Sequence, residues 1–314
     1  MHEILRFAEG SPQIEQLGKV LEKKGSTVLL NEMVGGAFLF YMAATIARRG
    51  GVHILVSEDR DAAAYALNDL YALLGEERVL FFPSAYKRSI VYGAEEAESV
   101  VMRTGVLNAL KNRGGEFLVV STYPEALAER VADMEGLTSE SLHIKRGDCI
   151  EVAELEKRVQ ALGFEKVDFV YEPGHYSVRG GIFDIYPAVA RFTDIDGNST
   201  METAPFRIEL FGDEIDRMGY YDIATQRVTE NVKSVLIPPA REIVADEEAL
   251  RAIKKSIANL RKKSKDAHLS ESLESEASAI ELALTSGTEV RFLDKYISLV
   301  YPEKTTLLDY FSPM

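Results

Sequence analysis

The stretch Phe206–Tyr221, FRIELFGDEIDRMGYY, decides how the second half of this chain folds. Apolar and polar side chains alternate on both sides of Gly212-Asp213, a dipeptide typical of a tight turn between antiparallel strands. Because alternate residues of a strand point to opposite faces, the pattern predicts a sheet with one buried side. We therefore expect a hairpin of two strands, Phe206 to Phe211 and Glu214 to Tyr221.

The first strand of this hairpin predicts a surface as well as a core. Its alternate apolar residues, which we expect to be buried, are Phe206, Ile208 and Leu210. The opposite face carries Arg207, Glu209 and Phe211, and arginine beside an aromatic ring is enriched at protein–protein contacts. Arg179 would join this face if the strand that follows it, Ile182 to Tyr186, pairs with the first. The alternative is a solvated strand surface with a cross-strand ion pair, which contributes little.

The residues around the hairpin predict an inserted domain. From Leu142 the chain alternates between apolar and polar residues and is rich in turn signals, with one predicted helix at Val152 to Leu162. Further strands are predicted at Phe169–Tyr171, Tyr176–Val178 and Ile182–Tyr186. Pro238-Pro239 marks the end of this region, because proline restricts its own backbone and that of the residue before it. We expect residues 142–238 to form an α+β domain rich in antiparallel strands.

Residues 1–141 predict a different architecture, in which strands alternate with helices as in a parallel α/β sheet. The predicted strands are Ser26–Leu30, Val52–Val56, Val79–Phe82 and Phe117–Ser121. The predicted helices are Phe38–Arg48, Asp61–Leu74, Glu95–Lys111 and Pro124–Val131. We expect this part to be an α/β domain with a parallel, P-loop-like sheet.

Residues 239–314 are expected to return to the first domain, which the inserted domain would then split. Apolar residues at helical spacing predict a helix that contains Leu250, Ile253, Ile257 and Leu260. Asp246 is placed to cap the start of this helix. The polar stretch Lys262–Ser278 is expected to be a solvated loop or helix end, and Thr305–Tyr310 a last strand.

A Gly-rich turn follows the first predicted strand, at the position of a phosphate-binding loop, and consists of Gly35, Gly36, Ala37 and Phe38. A working loop needs a lysine to reach the β and γ phosphates and a serine or threonine to hold Mg²⁺. Ala37 and Phe38 occupy those two places, and Glu32 would bring negative charge near any phosphate. We expect a degenerate phosphate loop, that is, an ordinary strand-to-helix turn without a ligand, and therefore no ATP hydrolysis.

Composition excludes several classes of protein. Hydrophobic residues make up 46% and charged residues 27% of the 314 residues, which is ordinary for a globular chain of two or more domains. The net charge of −14 argues against a protein that coats nucleic acid. The longest uncharged apolar run, 33–47, is too short to span a bilayer, and the single Cys149 fits a reducing compartment. We expect a cytoplasmic protein without membrane contact.

The sequence offers no pattern that predicts catalysis. The 5 histidines are scattered, and none lies in a metal-binding doublet. Carboxylates are so abundant that pairs of them would be found anywhere. We therefore expect no catalytic residue, no metal and no cofactor in this chain.

Two stretches, Val167–Pro187 and Phe206–Asp216, resemble a known family. Together with Phe82–Tyr86 and Ile237–Glu242, they are similar to the UvrB-like module at the N-terminus of the bacterial transcription-repair coupling factors, the Mfd family. The resemblance covers nearly the whole chain. It implies a UvrB-like, helicase-like first domain with a degenerate nucleotide site, and a second domain that binds UvrA, the damage-sensing ATPase of nucleotide-excision repair.

The resemblance also implies which residues contact UvrA. The family's contact positions fall on Arg179, Arg207 and Phe211. Glu209 matches an acidic contact of the UvrB version, and Lys166 is a further candidate because relatives also carry a basic residue there. Ser177 departs from the UvrB pattern, which has arginine at that position, so part of the UvrB contact set is absent.

The implied function is a non-catalytic adaptor that mimics UvrB and recruits UvrA to a lesion-stalled RNA polymerase. The motor and the polymerase-binding domain of the family are expected beyond Met314, so RNA polymerase and DNA would be partners of a longer ATP-dependent DNA translocase. One alternative is a UvrB-type, ATP-dependent helicase fragment, which the degenerate loop opposes. Another is direct recognition of damaged DNA, which the negative charge opposes.

Overall fold

The chain is described by a computed structural model that covers residues 5, 8, 10–85, 97–112, 117–133, 141–243, 247–286, 293–301 and 305–311. Within these residues, three strands form a parallel sheet and nine strands form a larger, mostly antiparallel sheet. The predicted combination of a parallel α/β part with an antiparallel region is therefore confirmed. No helix in the described ranges has the length and apolar character needed to cross a membrane.

The parallel sheet lies in the first part of the chain. Its helices are α1 (Pro12–Glu22), α2 (Ala37–Arg49), α3 (Arg60–Leu74), α4 (Ala97–Asn112) and α5 (Pro124–Leu127). Its strands are β1 (Val52–Val56), β2 (Val79–Phe81) and β3 (Leu118–Thr122), in the order β1-β3-β2. The central strand β3 is buried at every position, as expected for a parallel strand with neighbours on both edges.

The strand predicted at Ser26 to Leu30 is wrong, because these residues lie outside any strand and pair with no neighbour in the described part of the sheet. Leu29 is 80% exposed. A strand is stabilised by the packing of its side chains, and none of these five residues is buried. The helix predicted to reach Val131 ends at Leu127, and Glu95, where another helix was predicted to begin, lies outside the described residues.

The larger sheet is built from residues 142–237. Its strands are β4 (Leu142–Lys145), β5 (Glu165–Lys166), β6 (His175–Arg179), β7 (Ile182–Ile185), β8 (Ala190–Asp194), β9 (Ser199–Glu202), β10 (Phe206–Phe211), β11 (Glu214–Asp222) and β12 (Arg227–Ile237). The order is β5-β6-β7-β10-β11-β12-β8-β9, and β4 also pairs with β12. One helix, α6 (Val152–Ala161), packs Leu155 and Val159 into the sheet's core.

The hairpin of β10 and β11 around Gly212 is confirmed. The strand predicted at Phe169 to Tyr171 is wrong, because these residues form an irregular segment between β5 and β6 with both rings exposed. Strands β4, β8, β9 and β12 were not predicted. Their residues alternate weakly and are partly polar, so register and packing rather than local pattern decide their pairing.

The last part of the chain packs on the first. Its helices are α7 (Glu247–Lys263), α8 (Ala267–Ser286) and α9 (Ile297–Val300). A 3₁₀ turn at Leu293–Tyr296 leads directly into α9, and a second one at Leu307–Phe311 follows it. Ile253 and Ile257 of α7 lie in one apolar core with Leu107 and Val120 of the parallel part. The boundaries 1–141, 142–238 and 239–314 stay predictions.

Two expectations for this last part are wrong. Most of Lys262–Ser278 belongs to α7 and α8, because α8 packs Leu273 and Ile280 into the core despite its many polar residues. Residues 307–311 form a 3₁₀ turn rather than a strand, and only Thr306 makes an isolated bridge, to Arg130. The predicted cap Asp246 lies outside the described residues.

Candidate partner-binding site

Strand β10 has the two faces that its alternation predicted. Phe206 and Ile208 are fully buried in the core beneath α6. Arg207, Glu209 and Phe211 lie on the other side, and Phe211 is 85% exposed. A register shift after Glu209 marks an irregularity in the pairing with β11 just before Phe211.

The sheet brings Arg179 to this same face. Strand β7 pairs with β6 on one edge and with β10 on the other, so Arg207 lies opposite Asp184 and Asp184 lies opposite Ser177. In the next row, Arg179 and Glu209 are both register partners of Ile182. We call the face formed by Ser177, Arg179, Ile182, Asp184, Arg207, Glu209 and Phe211 the arginine face.

Arg207 is held in a buried network. Its Nε donates to Asp184 Oδ1 at 2.6 Å and its Nη2 to Asp184 Oδ2 at 2.8 Å, a two-point pairing that fixes the guanidinium plane. Its Nη1 donates to the Gln226 carbonyl oxygen at 2.9 Å, and its Nη2 also to Gln226 Oε1 at 3.1 Å. The hydrogen bond to Asp184 raises the pKa of Arg207 above its usual value. The side chain is therefore a fixed, permanently charged group that is largely out of solvent.

Arg179 shares the same carboxylate but remains more open. Its Nη2 donates to Asp184 Oδ2 at 2.7 Å, and its guanidinium lies 4.6 Å above the centroid of the Phe169 ring. The side chain is 36% exposed, whereas that of Asp184 is 1% exposed. Because an arginine carries five N–H donors, Arg179 can still donate hydrogen bonds outward.

The other two predicted residues lie in different settings. Glu209 is half-buried, with Arg217 of β11 as its register partner. Lys166 is the register partner of Tyr176, whose ring lies in the core, so Lys166 lies on the side of α6 and away from the arginine face. Its Nζ pairs with Glu156 Oε1 at 2.6 Å, and more than half of the side chain is exposed. The structure thus groups Arg179, Arg207, Glu209 and Phe211, but not Lys166.

The turn with the four residues Gly35, Gly36, Ala37 and Phe38 lies at the N-terminus of α2. Gly35 has a φ of 58°, which suits glycine, and Gly36 is the residue before the first helical turn. The preceding segment is not a strand, so the strand-to-helix geometry of a phosphate loop is incomplete here. Among the described residues, no group of three or more His, Cys, Asp or Glu side chains is placed to hold a metal ion.

Sequence reasoning missed Asp184, Gln226 and Phe169 as parts of this site. Asp184 carried a signal, because an acidic residue between buried neighbours in a predicted strand needs a cationic partner. No sequence signal pointed to Gln226, because it reaches the site from the β11–β12 turn with a φ of 59°. Phe169 reaches Arg179 because Ser177 Oγ donates to the Asp168 carbonyl oxygen at 2.9 Å.

Comparisons with known proteins show which protein family the region around this site resembles. Residues 142–243 match the model of the UvrB interaction domain. The site therefore lies within the part of the chain that matches this domain.

The whole chain is similar to larger repair proteins. It is 30% identical over 314 residues to the transcription-repair-coupling factor of Bacillus subtilis, covering 99% of this chain and 26% of the relative. It is 25% identical to the Escherichia coli transcription-repair-coupling factor over 73% of this chain and 19% of the relative. It is 26% identical to UvrABC system protein B of Thermotoga petrophila over 78% of this chain and 36% of the relative.

The predicted resemblance to the UvrB-like module of the transcription-repair coupling factors is therefore confirmed. The chain spans about a quarter of the length of the curated coupling factors that it matches.

Proposed function

We propose that this chain is a non-catalytic adaptor module that binds UvrA through the arginine face and so recruits it to a lesion-stalled RNA polymerase. The observation that supports this most is the position of an exposed charged and aromatic face within the region that matches the UvrB interaction domain. Mimicry of UvrB would follow because UvrB relatives share similarity over much of this chain.

Each exposed group on the face has a distinct role in this proposal. Arg179 donates its free N–H groups to a carboxylate of UvrA, and Glu209 accepts from a basic group. Phe211 supplies the apolar anchor, because an 85% exposed aromatic side chain gains most from burial. Arg207 and Lys166 stay predicted contacts that rest on the resemblance.

Titration of UvrA against the chain by calorimetry tests this proposal. We expect the wild type to bind and Phe211→Ala to bind at least about 30-fold more weakly, as for an interface hot spot. Folding is not at risk, because Phe211 packs on little of the protein. Tyr65→Ala is the matched control: it removes a ring that is 76% exposed on α3, in the parallel part, and should leave binding unchanged. A wild type that does not bind would overturn the proposal.

The degenerate phosphate loop is the second element of the proposal. Ala37 and Phe38 carry no group that could hold a γ phosphate or Mg²⁺, so we expect no ATP hydrolysis above the buffer rate. A steady-state phosphate-release assay tests this. ATPase activity that survives further purification and disappears in Gly36→Val would instead favour a UvrB-type helicase fragment.

RNA polymerase and DNA enter the proposal only through the longer protein. The coupling factors that match this chain are about four times its length, so a motor and a polymerase-binding part would lie in the remainder. The net charge of −14 fits a module that contacts protein rather than the DNA backbone. We place this activity in the cytoplasm, where excision repair of DNA would take place.

A further inference from the structure

An aromatic pair lies beside the arginine face, in the segment between β5 and β6. Phe169 and Tyr171 are 44% and 66% exposed, and their ring centroids are 6.5 Å apart. The hydrogen bond from Ser177 Oγ to the Asp168 carbonyl oxygen holds this segment against β6. Exposed aromatic side chains grouped in this way are uncommon on a surface that contacts only water.

Arg179 joins this pair to the rest of the face. Its guanidinium lies over Phe169 at 4.6 Å, a geometry in which the ring attracts the cation electrostatically. Arg179 and Glu209 are both register partners of Ile182, so two strand spacings, about 10 Å, separate their backbones. The backbone N–H of Leu210 donates to the Gly181 carbonyl oxygen at 2.7 Å, which places the neighbouring Phe211 near the β6–β7 turn.

Arg207 has fewer N–H donors available to a partner than Arg179 has. Four of its hydrogen bonds run to Asp184 and Gln226, and its guanidinium also covers the Tyr221 ring at 4.7 Å. One N–H of Nη1 is left over, but the side chain is only 10% exposed, so little of the guanidinium is open to a partner. Arg207 and Arg179 nevertheless share one acceptor atom, because each donates an Nη2 hydrogen to Asp184 Oδ2.

We propose that the UvrA-binding surface extends from Phe211 across Arg179 to Phe169 and Tyr171, and that Arg207 is a positioning residue that orients Arg179 through Asp184. This inference rests on the proposed function. The surface fits a partner that presents a carboxylate between apolar side chains, because a partly exposed guanidinium lies over one aromatic ring and shares its sheet face with a second, Phe211.

Titration of UvrA against Tyr171→Ala and Phe169→Leu tests the aromatic extension. Both variants are expected to bind about tenfold more weakly, while Tyr65→Ala binds as the wild type does. If Phe211→Ala weakens binding but the Tyr171 and Phe169 variants stay within twofold of the wild type, the extension is wrong and the proposed function stands. A wild type that does not bind overturns both.

A double-mutant cycle tests the role of Arg207. Arg207→Lys keeps the charge but loses the two-point pairing with Asp184, so it should weaken UvrA binding severalfold in the wild-type background. In the Arg179→Ala background the same substitution should have no further effect on affinity, because the residue that it orients is gone. Circular dichroism checks the folding of each variant. Equal losses in both backgrounds would mean that Arg207 contacts UvrA directly, and would overturn the positioning role.

Discussion

Asp184 is the residue on which the arginine face depends. It is almost fully buried and accepts hydrogen bonds from both Arg179 and Arg207. A buried carboxylate is costly unless it is paired and hydrogen-bonded, and here three N–H donors from two cations satisfy it. The network therefore fixes the positions of two cations, one on β6 and one on β10, on the same face of the sheet.

Tyr221 lies beneath this network and makes stability depend on pH. Burial, and then the Asp184 charge, raise the pKa of Tyr221 to about 12. Because the folded state holds this proton more tightly than the unfolded state, its stabilising contribution is complete below pH 10 and is lost as pH rises through 12. We expect the free energy of unfolding to fall with pH between these values, and to fall less steeply in Tyr221→Phe.

Urea unfolding at a series of alkaline pH values measures this difference. Burial also raises the pKa of Tyr220 and Tyr310, so the slope should shrink in the variant but not vanish. The Tyr221 hydroxyl has no hydrogen-bond partner among the described residues, so its removal should not destabilise the protein at neutral pH. Identical slopes for wild type and Tyr221→Phe would show that Tyr221 does not contribute to the loss of stability at alkaline pH.

At the scale of elements, α4 is the helix that joins the two sheets. A Cβ atom added at Gly105 would lie 2.7 Å from the Ala188 Cβ, in the segment between β7 and β8. One added at Gly174 would lie 2.8 Å from a methyl group of Val101, also on α4. The helix and the antiparallel region therefore approach so closely that glycine is required at the contact.

This contact predicts the effect of Gly105→Ala. The added methyl group overpacks the contact with Ala188, and we expect a loss of about 1–3 kcal/mol in the free energy of unfolding. Adding Ala188→Gly removes the opposing methyl group and should restore part of the lost free energy of unfolding. Urea unfolding measures both variants.

Gly18→Ala is the control for this experiment. Gly18 lies in α1 with open space around its Cα, so alanine should stabilise the protein by about 0.5–1 kcal/mol through helix propensity. A Gly105→Ala variant that gains stability to the same extent would show that α4 does not approach the Ala188 segment.

The elements differ in how far local sequence specified them. The hairpin at Gly212 and the helix through Ile253 were predictable, because period-2 and period-3.6 patterns each define one apolar side. Ser26–Leu30 has a strand-like composition but buries none of its residues, and α8 is helical although much of its surface is polar. For both segments, the tertiary environment outweighs the local secondary-structure propensity.

At the scale of the whole molecule, Arg103 ties together distant parts of the chain. Its side chain is 2% exposed and pairs with Glu242 at 3.0 Å and Glu129 at 2.9 Å. It also donates to the carbonyl oxygens of Pro83 and Arg130, each at 3.0 Å, so segments from before and after the antiparallel region meet at one guanidinium.

Arg103→Met is therefore expected to destabilise the whole molecule. The substitution leaves Glu242 buried without its cation, and we expect a loss of about 3–5 kcal/mol in the free energy of unfolding, measured with urea. Arg158→Met is the control: its exposed pair with Glu154 lies on the surface of α6, and its loss should cost less than about 0.5 kcal/mol. A similar small effect for both variants would rule out a structural role for the Arg103 network.

The sequence by itself determined the antiparallel hairpin, the division of β10 into two faces, and the absence of lysine and threonine from the turn at Gly35. Each depends on neighbours along the chain, where alternation and residue chemistry suffice. Only the tertiary structure decided that Asp184 and Gln226 hold Arg207, that Phe169 lies under Arg179, and that Lys166 lies on the other side. These arrangements depend on strand register and turn geometry, which bring residues from separate segments within hydrogen-bond distance.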